Sequence, residues 1–366
     1  MLVGGFGTRL RPLTLTVPKN LVPVAGVPLI ERVIAQLASH GVDRVVLSLG
    51  YRPDSFFAAF PDDTAAGIPL TYVVEPEPLD TGGAIRFAAR QAGLRDTFLV
   101  ANGDVLTDLD FTALIDAHRR TGAEATIALT PVEDPSRFGV VTTGDDGRVT
   151  AFVEKPASLE KPDPGTAPTN LINAGTYVFE SLVLSRIPAD QKVSLEREVF
   201  PALVADGTLF ALASERYWLD VGLPDSYLQA STDLLDGTRG AGPPTPGADR
   251  RAEGGWTLGE PVVDPGADID DQSLLCDGCH VGPAVEARRS VIGPASRVAG
   301  GVRLEDALLL AGAIIGEGAL VERSIIGPGA VVGAGAKVTG LSVLGEGAVI
   351  APGVSVDAAR IPSHDE

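Results

Sequence analysis

"IIGEGALVERSIIGPGAVVGAGAKVTGLSVLGEGAVI" occupies residues 314–350. Its aliphatic residues recur every six positions, at Val332, Val338, Leu344 and Ile350, and Val356 continues the series. Upstream the same beat runs through Ile292, Val298, Leu304 and Leu310, with five-residue steps to Ile315 and from Val321 to Ile326. A helix of period 3.6 or a strand of period 2 would scatter such residues around its surface. A coil with three short sides per turn, each side one hexapeptide, would turn all of them inward. Glycine-rich disorder is the alternative, and the regular Ile/Val placement argues against it.

Working outward, the stretch resembles the hexapeptide-repeat proteins, which form a left-handed parallel β-helix. That fold is expected over 259–366. Ahead of it, "GTRGAGPPTPGADRRAEGG" at 237–255 has Gly, Pro and charge without apolar periodicity, and a linker is expected over 237–258. Residues 1–236 have a different grammar. Apolar runs at 44–51, 70–76 and 97–105 read as strands, while 29–41 and 81–93 carry helical spacing and end on Gly. That alternation predicts an α/β domain with a mainly parallel, Rossmann-like sheet, whose ligands gather at the carboxyl ends of the strands.

The net charge of −19 excludes nucleic acid as an expected partner, since a polyanion would be repelled over most of the surface. No apolar run approaches the ~18–20 residues of a membrane span, and the chain does not open on a basic-then-apolar signal pattern. With only two cysteines, a reducing cytoplasm is the expected compartment. Those two stand in Cys276-Asp277-Gly278-Cys279-His280, a C-x-x-C-H string open to three readings: haem attachment, a redox or half-zinc pair, or two small residues in a turn.

Near the start, "LVGGFGTRLRPLTLTVPKNL" (2–21) sets Gly4, Gly5 and Gly7 beside Thr8, Arg9 and Lys19. Glycines let backbone N–H groups approach an anion, and Arg9 adds a forked, permanently charged donor. The G-x-G-x-x-G and P-loop patterns both fail here, because Leu10 stands at the third glycine and no Gly-Lys-Ser/Thr follows.

"GGFGTRLRPLT" with "PKNLVPVAGVPLI" resembles the signature of the sugar-1-phosphate nucleotidyltransferases, also called nucleotide-sugar pyrophosphorylases. "EPEPLDTGGAI", "NGDVL", "RFGVV", "VEKP", "INAGTYVFE" and "YWLDVGLPDSYL" follow in the family's order, from Gly4 to about Leu228. The resemblance implies a nucleoside triphosphate and a sugar 1-phosphate as substrates, with pyrophosphate as leaving group. It implies that Arg9 and Lys19 act on the triphosphate and that Asp104 and Asp220 hold a Mg2+. Gly4, Gly5, Gly7, Thr8, Thr81, Gly82 and Asn102 are implied at the nucleotide, and Gly139, Glu154, Lys155, Asn173 and Gly175 at the sugar. Asp80, where many relatives carry Gly, could accept from a guanine edge or stand solvated.

Among activities, the later motifs and the β-helix look most like the mannose-1-phosphate guanylyltransferase branch, which forms GDP-mannose. Thymidylyl, uridylyl or adenylyl transfer to glucose 1-phosphate, or to another sugar or cyclitol phosphate, is the alternative; a non-catalytic regulatory homologue is another. Acyl transfer in the β-helix is disfavoured, because no histidine falls between 281 and 363. A homo-oligomer is expected. Family members place a short apolar strand, central in the sheet, before the first glycines. Met1, Leu2 and Val3 stand in its place, and a start site assigned a few codons late is the expectation.

Overall fold

A computed structural model describes residues 1–155, 169–240 and 242–363. Residue 241 of the expected linker and 364–366 of the expected β-helix lie outside the described residues. The chain divides into two compact units, Met1–Gly5 with Ile30–Trp218, and Phe6–Leu29 with the chain from Leu219 on. Neither unit is a single stretch of sequence: the chain passes between them at Gly5, Leu29 and Trp218.

The first unit is an α/β sheet. Its strands are β1 (Val45–Leu49), β2 (Ile68–Val74), β3 (Phe98–Ala101), β4 (Ala125–Pro131), β5 (Gly139–Thr143), β6 (Val149–Glu154), β7 (Leu171–Phe179) and β8 (Leu209–Ala213). β1 runs parallel to β2, and β4 parallel to β8. β7 lies between β3 and β4, antiparallel to both, and so runs against them in the main sheet. β5 and β6 form an antiparallel ribbon joined to β7 at Ile172↔Val140. The first three residues do the work of a strand. Leu2 bridges Ser48 and Asn102 in parallel sense, and backbone bonds run from Leu2 N to Ala101 O (2.9 Å) and from Ser48 N to Met1 O (3.0 Å). Helix α1 (Leu29–Ser39) and helix α2 (Asp80–Gln91) match the expected helical stretches. α3 (Phe111–Thr121) begins where the Asp110 carboxylate accepts from Ala113 N and ends on left-handed Gly122.

The second unit contains α4 (Pro224–Leu235) and a parallel β-solenoid. Its three sides each stack in register: Leu275, Ile292, Leu309, Ile326, Leu344 and Ile361 on one, Val281, Val298, Ile315, Val332 and Ile350 on another, and Ala287, Leu304, Val321, Val338 and Val356 on the third. These residues form one continuous aliphatic core. The periodicity places Leu310 inside, but it is Leu309 that takes the core position. Leu310 stands one residue on, and its N–H bonds Ile326 O at 2.8 Å. The reason lies at the corners. Turns of 17 residues, such as Ile292 to Leu309 and Leu309 to Ile326, compress one corner into a single left-handed residue, Asp306 or Arg323 (φ 46° and 41°). The one-residue slip therefore comes before Leu309, at Asp306.

One outer row of the solenoid is itself buried: Leu274, Val291, Leu308, Ile325 and Val343 are at most 5% exposed. Helix α4 packs on the strands Arg303–Leu309 and Leu320–Ile326, and on Pro23–Val24. Tyr227 of α4 donates its hydroxyl to Pro23 O (2.7 Å), and Ser231 Oγ accepts from Ala25 N (3.3 Å). Gly26 has φ +82°, and a Cβ there would lie 3.0 Å from Leu258 and 3.3 Å from the Cys276 sulfur. The segment carrying Arg9 and Lys19 is thus seated on the helix and the solenoid together.

Cys276 and Cys279 are both free and buried, Cys276 in this layer and Cys279 in the solenoid core, which selects the turn reading of the C-x-x-C-H string. Burial pushes both thiols up to about 12. Among the described residues no cluster of three or more His, Cys, Asp or Glu is placed to hold a metal, and no helix is long and apolar enough to cross a membrane. A disulfide reagent at pH 8 should leave both thiols unlabelled in the native protein and label both after denaturation; labelling of the native fold would contradict this burial.

Candidate active site

The residues expected to bind ligand divide between the units, and each set has its own chemistry. In the second unit, Gly7 adopts φ +62°, and a Cβ there would be 3.0 Å from Lys19 Cβ and from Thr14 Cγ2. Thr14 donates its hydroxyl to Gly7 O at 2.7 Å. This folds residues 7–19 back on themselves, with Thr8, Arg9 and Leu10 in a single 3-10 turn. The result brings two cations to one carboxylate: Lys19 Nζ is 3.6 Å from Asp220 Oδ1, and Arg9 is 3.9 Å from Oδ2. The two cations differ in access. The Lys19 side chain is 8% exposed, Arg9 58% and Asp220 24%. A buried ammonium beside a partly covered carboxylate is fixed in place, whereas Arg9 can swing toward an arriving anion.

Gly222 completes this arrangement, and nothing in the sequence marked it out beyond its place in "WLDVG". A Cβ at 222 would lie 2.8 Å from the Arg9 guanidinium and 2.8 Å from Asp220 Oδ1. Only a glycine lets the two side chains meet there.

The first unit supplies the amide and carboxylate groups. In β7 the string "INAGTY" makes a bulge, with the register to β4 shifting between Asn173 and Tyr177. Asn173 Oδ1 accepts from Gly175 N, and its Nδ2 donates to Tyr177 Oη, both at 2.9 Å. Gly175 sits at φ +73°, and a Cβ would be 2.6 Å from Asn102 Nδ2. Asn102 N in turn bonds Gly175 O at 2.9 Å. The two expected positions 102 and 175 are therefore in direct contact. Burial, then the carboxylates of Glu196, Glu154 and Asp104, push the Tyr177 phenol far above its ordinary range. Asn173 thus hydrogen-bonds this buried tyrosine, and Asp104 and Glu154 lie near enough to act on it through their charge.

Gly139 pairs with Glu154 across the β5–β6 ribbon. A Cβ on Gly139 would come within 2.7 Å of the Phe152 ring and 3.0 Å of Glu154 Oε2. Lys155 Nζ lies 3.0 Å from Glu154 Oε1, and the lysine is 63% exposed against 17% for the glutamate. The adjacent Phe138 ring stands edge-on to Trp218 at 5.5 Å, and the Trp218 indole N–H donates to Ala174 O at 2.9 Å. Phe138 and Trp218 carry no polar signature of their own, and they buttress the positions on either side.

Two expected nucleotide positions are occupied by internal contacts. The Thr81 hydroxyl donates to Glu196 Oε2 (2.8 Å) and accepts from Leu195 N (2.9 Å). Gly82 N bonds Val193 O at 2.8 Å, and a Cβ would meet that oxygen at 3.0 Å. Both residues dock α2 on residues 193–195. Gly4 and Gly5 differ: Gly4 lies beside Glu75 and Gly50, and a Cβ on Gly5 would meet nothing within 4 Å.

A Gly222→Ala change strikes only the movable ends of Arg9 and Asp220. It should lower kcat/KM by about tenfold or more through misplacement, while the melting temperature shifts by no more than a few degrees. A variant with wild-type kinetics would show that the Arg9–Asp220 geometry is unimportant.

Residues 1–237 match the family model described as Nucleotidyl transferase, and residues 258–366 match the GMPPB C-terminal domain. The chain is 42% identical over 85% of its length to a protein of Mycobacterium tuberculosis named mannose-1-phosphate guanylyltransferase, covering 81% of that protein. It is 37% identical over its whole length to "Probable mannose-1-phosphate guanylyltransferase 1" of Oryza sativa, covering 96% of it. Among solved structures, HddC from Yersinia pseudotuberculosis complexed with GMP-PN is similar over 63% of this chain and 96% of its own, at 31% identity and a TM-score of 0.53. The chain belongs to the nucleotidyl transferase family and is a nucleotidyltransferase enzyme.

Proposed function

We propose that the protein transfers a guanylyl group from GTP to mannose 1-phosphate, giving GDP-mannose and pyrophosphate. The observation that carries this reading is the meeting of Lys19 and Arg9 at Asp220, in a chain similar along its length to proteins named for that reaction. A solved relative complexed with GMP-PN supports guanine as the base.

In the reaction an oxygen of mannose 1-phosphate attacks the α-phosphorus of GTP in line. The bond from that phosphorus to the bridging oxygen breaks, and pyrophosphate carries the electron pair away. Such a step asks the protein for alignment and charge neutralisation rather than covalent chemistry. Arg9 takes the β- and γ-phosphates with its exposed fork, and Lys19 holds the α-phosphate against the incoming one. Gly4, Gly5, Gly7, Thr8 and Asn102 border the nucleotide. Thr81 and Gly82 support it by fixing α2. Glu154, Lys155, Asn173, Gly139 and Gly175 serve the sugar phosphate, where a carboxylate and an amide can read hydroxyl configuration.

Asp104 and Asp220 are the carboxylates we assign to a Mg2+. Few protein carboxylates, with phosphate oxygens completing the shell, make the donor set that suits this ion, and the described residues offer no closed metal cage. The ion supplies neutralisation of charge on the leaving pyrophosphate.

We assign catalysis to residues 1–236, the connection to 237–258 and the solenoid to 259–366. The free, buried cysteines support a reducing cytoplasmic setting. A run of apolar residues outside one solenoid side, Ile314, Val331 and Val349, supports self-association. Light scattering should then report more than one chain per particle at micromolar concentration; a monomer throughout would remove that reading.

A panel of GTP, ATP, UTP and dTTP against mannose and glucose 1-phosphates, with Mg2+ and pyrophosphate release as readout, tests the reaction. GTP with mannose 1-phosphate should be fastest. Lys19→Ala should cost about 10²–10³ in kcat, and Asp104→Asn should raise the Mg2+ needed for half-maximal rate. Preference for dTTP or UTP with glucose 1-phosphate would move the protein to the other branch, and no turnover of any pair would make it non-catalytic.

A further inference from the structure

Charge on this protein is mostly paired. Arg148, Arg250, Arg288, Arg303 and Arg323 each meet an Asp or a Glu, in a chain where 48 acids stand against 29 lysines and arginines. One hollow of about 330 Å3 in the first unit departs from this pattern. Arg86, Arg90 and Arg95 line it, with Gly93, Leu184 and Ser185, and no carboxylate contributes to its wall. None of the residues assigned above to nucleotide, sugar or Mg2+ takes part in it.

The walls are fixed. Arg86 and Arg90 stand one turn apart on α2, and Arg95 follows on the segment after the helix. Arg86 Nη1 donates to the carbonyls of Leu184 (3.1 Å) and Ile187, which ties the facing 3-10 turn Ser181–Arg186 to the helix. Those bonds leave its Nε and Nη2 unused. Arg90 and Arg95 are exposed, and neither has an ion pair or a side-chain hydrogen bond among the described residues. Two acids stand nearby: Asp96 follows Arg95 in the chain, and Asp190 borders a separate small hollow beside Arg86 and Arg90. Neither pairs with the three arginines.

Helix capping does not account for the three. The carbonyls of Ala88, Ala89 and Arg90 already accept from the N–H groups of Ala92, Leu94 and Gly93 at 2.8–3.2 Å, so backbone satisfies the end of α2. A single cation there suits the helix dipole. Like charges at i and i+4 repel, and a third cation adds to that cost. On a protein of net charge −19, an anion is held only where such a local excess of cations gathers it. Guanidinium forks match phosphate oxygens in pairs. Three of them exceed the charge of one phosphate, about −1.5 to −2 at pH 7. We propose that the Arg86–Arg90–Arg95 hollow binds a small metabolite carrying two phosphate groups, at a site separate from the one where the triphosphate reacts.

Titration calorimetry on the full chain at low salt tests this, with 2,3-bisphosphoglycerate as the bisphosphate and inorganic phosphate as the single one. The wild-type protein should bind the bisphosphate at least about tenfold more tightly than phosphate. Arg90→Ala/Arg95→Ala should weaken it at least about 30-fold, since each hydrogen bond to a charged group is worth about one order of magnitude. Arg119→Ala/Arg120→Ala removes the same charge from exposed positions of α3 and should change the affinity less than about threefold, as should Arg9→Ala. Absence of binding to the wild-type protein, or binding that survives Arg90→Ala/Arg95→Ala, overturns the site. A loss with Arg9→Ala puts the anion at the reacting groups, and an equal loss with the α3 pair makes it general charge attraction; either result overturns the proposal. Phosphate bound as tightly as the bisphosphate overturns the two-phosphate class. Without ligand, Arg90→Ala/Arg95→Ala should melt no lower than the wild type, because it relieves a repulsion. A drop of several degrees would make the arginines structural and overturn their assignment to a ligand.

Discussion

The chemistry of the second unit depends on one packing contact, the wedging of residues 22–26 against α4 and the apolar outer row of the solenoid. Leu274, Val291, Leu308, Ile325 and Val343 would otherwise be a greasy stripe on a soluble coil. Covered, they are worth roughly 1.5–3 kcal/mol each by area, and the cover is α4 together with the segment that continues from Lys19. The Tyr227 hydroxyl on Pro23 and the Gly26 backbone set close against Cys276 and Leu258 fix its depth. A solenoid that looks like an appendage in the sequence is the bench on which the two cations are mounted.

The two units carry different groups. Positive charge comes from the piece of chain seated on the solenoid, where Asp220 sits between Arg9 and Lys19. Amides and carboxylates come from the sheet, where a bulge in β7 turns Asn173 toward Tyr177 and brings Gly175 against Asn102. A left-handed glycine at 175 is what lets one strand both hydrogen-bond its neighbours and present an amide.

Much of the architecture is legible in the sequence, because period six, helical spacing and strand-ending glycines are local signals. The slip from Leu310 to Leu309 was not legible, since whether a corner takes one residue or two is decided by the turn above and below it. The pairing of Asp220 with Arg9 and Lys19 spans some 200 positions; Arg9 stood out as a forked donor beside the glycines, whereas the roles of Lys19 and Asp220 came only from the family resemblance. Gly222 escaped notice because its reason for being glycine lies in two side chains near in space, one of them far away in sequence. Thr81 and Gly82 have a second, structural role that the motif does not announce. They stand in a ligand-binding signature, yet their hydrogen bonds go to residues 193–196.

The presence of both 17- and 18-residue coils has a consequence for how this protein can change length. Each left-handed corner, Asp306 or Arg323 in the short coils and the Gly340–Leu341 pair in a long one, works as an expansion joint. A residue gained or lost there is absorbed before the next side begins, so the stack above keeps its inward faces. The same change within a side would turn the rest of that side inside out, since neighbouring residues point to opposite faces. Variation among descendants of this chain should therefore collect at the edges of the prism and spare its walls.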